Sequence, residues 1–432
     1  MPRFLRPAAL VLMLAFVASA LGCSGSSPTS PVVGPFRSIT ISAPAETVSY
    51  NASLAFNAVV VDTAGNPVTG PALVWKSSNT GTATIDDHGV LTPHVEGTTT
   101  VTAEGGGAIS NPIVVTVIPA FGWVDQSPAA VTLNNLNGVH FPDRLHGYTV
   151  GDVGTILFTA NAGLTWGRQN SNSTGYTLNA VFFPTGEHGF VVGSAGRILE
   201  TTDHGLTWMV RSGIDTNNGS SLNDIVFLDD KTGFIVGNGG LILKTANAGA
   251  TWTRILPTTG ANLLTVSATF QPGPDTTAWA AGQGGVILDS EDGGASWQTV
   301  PTPFITDANG IVRRTRDNAF AVGTNNVAAM TVSTPTTPDW VLAPTPPTFT
   351  NFYGVSWPTA VQLVAAGENT GGQPTVLRSL DQGTTWITQP LPTSAVLSNH
   401  GLRDVWFVDQ DHGWAVGRSG TIVHTATGGT TQ

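Results

Sequence analysis

From Phe36 onward the chain is written in short apolar runs, each closed by a turn rich in Gly, Asp, Asn or Ser. Runs of this length bounded by turn residues read as β-strands. Between Phe36 and Val117 they are SITIS, LAFNAVVVD, ALVWKSS, ATIDDHGVLTP, TTTVTAE and IVVTV. The pattern predicts an all-β sandwich over residues 36–118.

From about Phe121 the pattern becomes periodic. A Val-Gly or Ala-Gly pair closes the second apolar run of each unit, at Gly151, Gly193, Gly237, Gly282, Gly323, Gly367 and Gly417. Each unit has an apolar strand (LNDIVF), a polar turn, a second strand (GFIVG), a Gly turn, a third strand (LILKT), an Asp-rich turn, and a fourth strand opening on Trp. Four strands in about 40 to 45 residues is the period of a propeller blade. Residues 119–432 are therefore predicted to form a seven-bladed β-propeller. Trp166, Trp208, Trp252, Trp297, Trp340 and Trp386 open the fourth strands, and the final unit stops at Gln432 before its own Trp. Trp123 lies one blade period before Trp166. An unpaired sheet edge invites aggregation, so residues 121–127 are expected to pair beside residues 420–426, with Trp123 standing in for the absent Trp.

The Asp-rich turn places an acid, a histidine and a hydroxyl together in TTDHGLTW (201–208), which suggests an active site. Repetition argues otherwise: TANAGLTW (159–166), TANAGATW (245–252), SEDGGASW (290–297) and SLDQGTTW (379–386) share the grammar. Asp203, Asp292 and Asp381 can accept backbone hydrogen bonds from the residues ahead, as can Asn161 and Asn247. Gly205, Gly294 and Gly383, with Gly163 and Gly249, supply positive φ. Trp166, Trp208, Trp252, Trp297 and Trp386 cover the turn. The motif is read as structural. In the fifth unit the turn reads VSTPTTPDW and is expected to be remodelled.

Three resemblances follow from these residues. The unit LRDVWFVDQDHGWAVGRSGTIVHTATGG resembles the repeat of photosystem II stability/assembly factor-like proteins, among the BNR/Asp-box propellers. That resemblance implies the propeller, and a role in assembly or stability of a membrane complex. The segment WKSSNTGTATIDDHGVLTPHVEGTTTVTA resembles the bacterial Ig-like group 2 family, which implies a spacer or adhesive module with Trp75 in its core and a hairpin turn at Asp87-His88-Gly89. At the N-terminus, Arg3 and Arg6 precede an apolar run from Ala8 to Leu21, the mark of an export signal over residues 1–22. Ala20-Leu21-Gly22-Cys23 resembles a bacterial lipobox, which implies acylation of Cys23 and attachment to a bacterial membrane of the cell envelope. The Ser/Pro/Gly segment 23–35 would be a tether.

Composition narrows the partners. With 17 basic against 28 acidic residues, a formal net charge of −11, the chain lacks the basic footprint that nucleic acid requires. One cysteine leaves no intrachain disulfide and no thiolate zinc site. There is no Walker loop, HExxH or GxSxG, and no cofactor or metal is expected. A sialidase-like hydrolase is the alternative, because sialidases also carry Asp-boxes on a propeller. Such chemistry needs an arginine cluster and a Tyr–Glu pair. Tyr148, Tyr176, Tyr353, Glu187, Glu200, Glu291 and Glu368 are available, without a pairing suggested by sequence. His146, His188 and His412 each precede a second strand in different blades, and read as repeat grammar rather than ligands. Arg313, in the slot held by Phe141, Phe183, Phe227 and Phe407, is expected to pair with Asp317 or close a degenerate blade.

Residues that break the repeat point to binding, since the scaffold does not require them. On the face carrying the turn after the second strand and the connections between blades, they are Tyr176, Arg197, Arg211, Asp215, Phe304, Phe352 and Arg418. Arginines with aromatics are the composition of recognition surfaces. The reading is a non-catalytic binding protein that holds a protein or glycan outside the cytoplasm and touches the membrane through its lipid alone.

Overall fold

A computed structural model describes residues 35–49, 52–94, 97–118, 122–128, 130–256, 259–269, 277–315, 318–332, 339–344, 350–392 and 400–429. The segments expected to be an export signal and a tether, with Cys23, lie outside the described residues except for Pro35. No described helix is long and apolar enough to cross a membrane.

Residues 36–118 form three small sheets around one core. Phe36–Ser42 pairs antiparallel with Asn57–Asp62. A second sheet runs in the order Thr47–Ser49, Ile113–Ile118, Gly97–Gly105, Val74–Ser77, and the first two of these strands are parallel. The third joins Leu54–Ala55, Val90–Pro93 and Ala83–Ile85. Alternation sends Ile39, Ile41, Val60, Val101 and Val115 inward. Trp75, expected inside that core, is half-buried at its margin, where it meets Phe56 at 5.9 Å. The turn before Val90 is made by Asp86, whose carboxylate accepts from the amides of His88 and Val90 at 2.9 and 2.8 Å.

Beyond Gly122 the described residues form seven four-stranded antiparallel sheets, and the architecture is that of a β-propeller. Six are built from consecutive strands, beginning at Leu136, Leu178, Leu222, Leu263, Ala308 and Thr350. The first strand of each sheet packs on the first strand of the next, and Leu402–Phe407 packs back on Leu136–His140, so the ring is closed. The last sheet takes its outer strand from the other end of the propeller. Val124 pairs with His424 and Asp125 with Val423. The Gln126 amide donates to Ile422 O at 2.9 Å, and the Ile422 amide donates to Ser127 Oγ at 3.0 Å.

Each Asp-rich turn is a hydrogen-bonded loop. In residues 201–208, Thr201 Oγ1 accepts from the Gly205 amide at 2.9 Å and donates to Asp203 Oδ1 at 2.7 Å. Asp203 in turn accepts from the amide and the hydroxyl of Thr207 at 2.9 and 2.6 Å. The same bonds recur around Asp292 and Asp381. They hold Asp292 down to about 2 against the opposing effect of burial, and Asp203 and Asp381 below the ordinary carboxylate range. Glycine has two reasons to sit here. Gly249 and Gly294 have φ of 78° and 80°, and a Cβ on either would run into Phe190 or Phe234 of the preceding blade. The turn thus sets local shape and blade-to-blade packing together.

The following Trp packs edge-on against the first-strand aromatic of its own blade, as in Trp166–Phe141, Trp208–Phe183 and Trp252–Phe227. Trp297 meets Phe234, and Trp386 tilts onto Phe320. In the fifth unit Trp340 meets Trp279 at 5.3 Å, while residues 333–338 of its turn lie outside the described residues. Asp317, the partner expected for Arg313, also lies outside them. The Arg313 guanidinium is buried 3.7 Å from Asp289 and rests over the Trp279 ring.

Candidate functional site

The first strands line a central channel, and their residues recur in layers. At the upper end, beside the turns that follow the second strands, the lining positions are Asn137, Asn179, Asn223, Leu264, Asn309, Tyr353 and Arg403. The four asparagines share one task. Their side-chain amides donate to Leu178 O, Leu222 O, Leu263 O and Phe352 O of the next blade at 3.0, 2.7, 2.7 and 2.8 Å. A short amide at this position is therefore a clamp between neighbouring blades.

Three blades lack the clamp: the fourth carries Leu264, and in the consecutive sixth and seventh the replacements belong to a charged cluster. Tyr353 Oη donates to Glu368 Oε1 at 2.8 Å. Arg418 lies 3.1 Å from Glu368 Oε2 and donates to Oε1 at 3.3 Å. The Arg403 guanidinium sits over the Tyr353 ring, 4.8 Å from its centroid. Glu368 and Arg418 each follow the Gly of the second strand, Glu368 still within its strand, where the other blades carry Asp152, Ser194, Asn238, Gln283 and Thr324. Gly401 leaves the space into which Glu368 folds; a Cβ there would overlap its carboxylate. Burial, then the bond and charge of Glu368, push the Tyr353 hydroxyl above its ordinary value. It is held as a neutral donor.

Charge in the cluster does not cancel. Glu368 is engaged by Arg418 and Tyr353, whereas Arg403 has no carboxylate partner among the described residues, and its buried Nε makes no hydrogen bond. A guanidinium stacked on a tyrosine is oriented without being neutralised. The upper mouth between the sixth and seventh blades thus offers an oriented cation to an anionic group.

The expected binding residues divide. Arg418 belongs to this cluster. Arg197 and Tyr176 form a second cation–aromatic pair in the second blade, at 3.7 Å. Arg211 is occupied elsewhere: it lies 3.0 Å from Glu200 and donates to Ala250 O of the next blade at 3.0 Å. Asp215 caps the Asn217 amide at 3.0 Å and lies 3.6 Å from Arg254. Phe304 and Phe352 are core residues, 7% and 1% exposed, and leave the proposed face. Phe352 fills the slot of Leu136, Leu178, Leu222, Leu263 and Leu402, so the scaffold does require an apolar residue there.

The histidines that precede second strands do not converge. His146 bonds Asp143 at 2.8 Å, His188 bonds Glu200 at 2.8 Å and His412 bonds Asp409 at 3.0 Å, each within its own blade. His204 is an exposed turn residue whose Nδ1 meets Gly186 O at 3.0 Å.

Tyr353, Glu368 and Arg403 are the residues that a search for repeat-breaking loop positions does not reach. Tyr353 and Arg403 lie inside strands. Their signal is the loss of the asparagine that follows Leu136, Leu178, Leu222 and Ala308.

Comparison with known proteins agrees with the propeller. Residues 171–259 match the family described as Photosynthesis system II assembly factor YCF48. The structure is similar to one titled YCF48 bound to D1 peptide, at 22% identity and TM-score 0.58, covering 72% of this chain and 98% of that one. It is also similar to YCF48 from Cyanidioschyzon merolae, at 18% identity and TM-score 0.56, covering 70% and 98%. The structure of U3-55K superposes at 8% identity and TM-score 0.54, covering 71% and 98%. The curated proteins offer no match. Together these establish a photosystem II assembly factor-like β-propeller fold, and folds of this type host unrelated functions.

Proposed function

We propose that this chain is a non-catalytic binding protein that receives an acidic segment of a partner protein at the upper mouth of the propeller, between the sixth and seventh blades. The observation that carries this reading is Arg403, stacked on Tyr353 with no carboxylate partner among the described residues, beside a Glu368 already engaged by Arg418 and Tyr353. A solved structure similar in fold is titled as bound to a peptide, which supports a peptide-sized ligand. Assembly or stabilisation of a membrane complex is the role that such binding would serve.

The test is peptide binding by the intact chain, read by fluorescence polarisation over a panel of acidic, neutral and basic peptides. Acidic peptides should bind selectively and lose affinity with added salt. Arg403→Ala should weaken them about tenfold or more, the scale of an interfacial arginine, with the melting temperature unchanged. Equal binding of all three peptide classes, or no effect of Arg403→Ala, would overturn the reading.

The hydrolase alternative has one observation in its favour, since the Tyr353–Glu368 bond is the pairing that sialidase-like chemistry needs. A tyrosine pushed above its ordinary value is a poor nucleophile, however, and binding is the better account. Turnover of a fluorogenic sialoside by the wild type and not by Tyr353→Phe would reverse that preference.

The leader supports display outside the cytoplasm, anchored to a bacterial membrane through acylated Cys23. Acyl chains bury about 0.8 kcal/mol per CH2, which tethers a protein without a spanning segment. A fatty-acid analogue should label the wild type and not Cys23→Ser; equal labelling of both would remove the anchor.

A further inference from the structure

The channel holds an open cavity of about 200 Å³ that runs from the upper layer, at Asn137 and Arg403, down to His140 and Trp406. Its wall carries two acids where other blades have small residues. Asp224 and Asp404 stand where Gly138, Ala180, Gly310 and Gly354 stand in their own strands. Each acid bridges to the next blade, accepting from the Val266 and Val139 amides at 2.8 and 2.9 Å. Each also accepts from the amide that follows it, at 2.8 Å. No cation lies within ion-pair distance of either carboxylate among the described residues. Burial holds Asp224 up at about 6 and Asp404, which also feels the charge of Asp224 across the channel, at about 7.

One layer lower, the wall between these acids is aromatic. His140 packs against Phe182 and Trp406, each at 4.4 Å, and Trp406 is fixed by its Nε1 donating to Phe141 O at 3.0 Å. His140 and Trp406 extend from the cavity to the lower mouth, beside Pro142 and Pro184, and Phe182 lines the cavity itself. His140 is 3% exposed, and its Nδ1 has no hydrogen-bond partner. Burial keeps this imidazole neutral, near 3, so one ring nitrogen is an acceptor. The remaining titratable groups lining the channel are Tyr353 and Arg403, both in the upper layer already described.

We propose that the lower channel is a receptor for a primary ammonium group, held against Phe182 and Trp406 to hydrogen-bond His140 and neutralise Asp224 and Asp404. Three features select this chemistry. Aromatic faces and carboxylates both attract cations. A neutral imidazole acceptor favours a cation that carries N–H donors. The volume lies below the roughly 300 to 1,000 Å³ of drug-sized sites, which suits a single aliphatic amine or a lysine side chain. Each acid oxygen already accepts a backbone N–H, and a hard metal ion would have to compete with those donors.

The amine site lies deeper in the same cavity than the acidic-peptide site at the upper mouth, and its test uses other probes. Butylamine should bind the intact protein at pH 8 by calorimetry. Binding should weaken at least about tenfold at pH 5, where the acids take up protons. It should weaken similarly in Asp224→Asn/Asp404→Asn. Phe182→Leu, which leaves both acids in place, should weaken it as well and serves if the double variant does not fold. Tetramethylammonium, which has no N–H, should bind less well. A short lysine peptide that binds more tightly than butylamine identifies the source as a partner's lysine; the reverse order identifies a free amine. Unaltered affinity in folded variants, calcium binding as tight as butylamine, or no binding of either amine would overturn the proposal.

Discussion

Trp123→Ala should lower the unfolding free energy by about 3 to 5 kcal/mol, the loss found when a buried Trp or Phe is truncated. Trp123 is 5% exposed and packs edge-on against Phe407 at 5.9 Å, within the cluster that includes Val364, Val376, Leu402, Val405 and Val423. It is also the apolar anchor of the closing strand. The few backbone bonds of residues 124–127 to the strand Ile422–Ala426 cannot alone hold ends so distant in sequence against chain entropy. Losing the anchor should expose the edge of that strand, so aggregation on heating should increase as well. Urea denaturation of the intact chain measures the effect. A loss below about 1 kcal/mol would mean that the ring closes without this strand.

What could be read from sequence follows from what the repeat requires. Asp203, Gly205 and Trp208 recur because each turn needs an acceptor, a positive φ and an apolar cover, so their spacing carries the blade in plain view. Trp123 was legible for the same reason, by its distance from Trp166. Phe352 was not, because an aromatic at a loop boundary reads equally as core or face until burial decides. Arg418 was legible as a binding residue, and Tyr353 and Glu368 as candidates, but their grouping with Arg403 was hidden for a different reason. The cluster joins two blades through groups up to 65 residues apart, which replace two repeat positions in each blade. Asp224 and Asp404 were quieter still. An acid in only two of the seven first strands, LNDIVF and LRDVWF, gives no periodic signal, and its desolvation exists only once the ring has closed around the channel.

That desolvation gives the last prediction, in which two opposing titrations cancel in the wild type. Asp224 and Asp404, at about 6 and about 7 in the folded state, lie above the usual carboxylate value of about 4 in an unfolded chain. Their protonation stabilises the fold, so stability from them increases as pH falls from 8 to 5. His140 and His424 act the other way. Both are held near 3 by burial, helped at His424 by the charge of His412, while an unfolded histidine protonates near 6.5. Their contribution is present above that value and is lost as pH falls. Each tenfold difference in proton affinity between the folded and unfolded chain is worth about 1.4 kcal/mol. The acids therefore gain on the order of 4 kcal/mol between pH 8 and 5, and the histidines lose about as much. Asp292, Asp203 and Asp381 contribute only to the loss below about pH 4, because their values are lowered. Wild-type stability should therefore be nearly flat from pH 5 to 8. Asp224→Asn/Asp404→Asn removes one side of the balance and should lose on the order of 4 kcal/mol over the same range. Urea denaturation in phosphate and acetate, free of amines, reads both curves. Parallel curves for the two proteins would show that channel water solvates these carboxylates as fully as bulk solvent does.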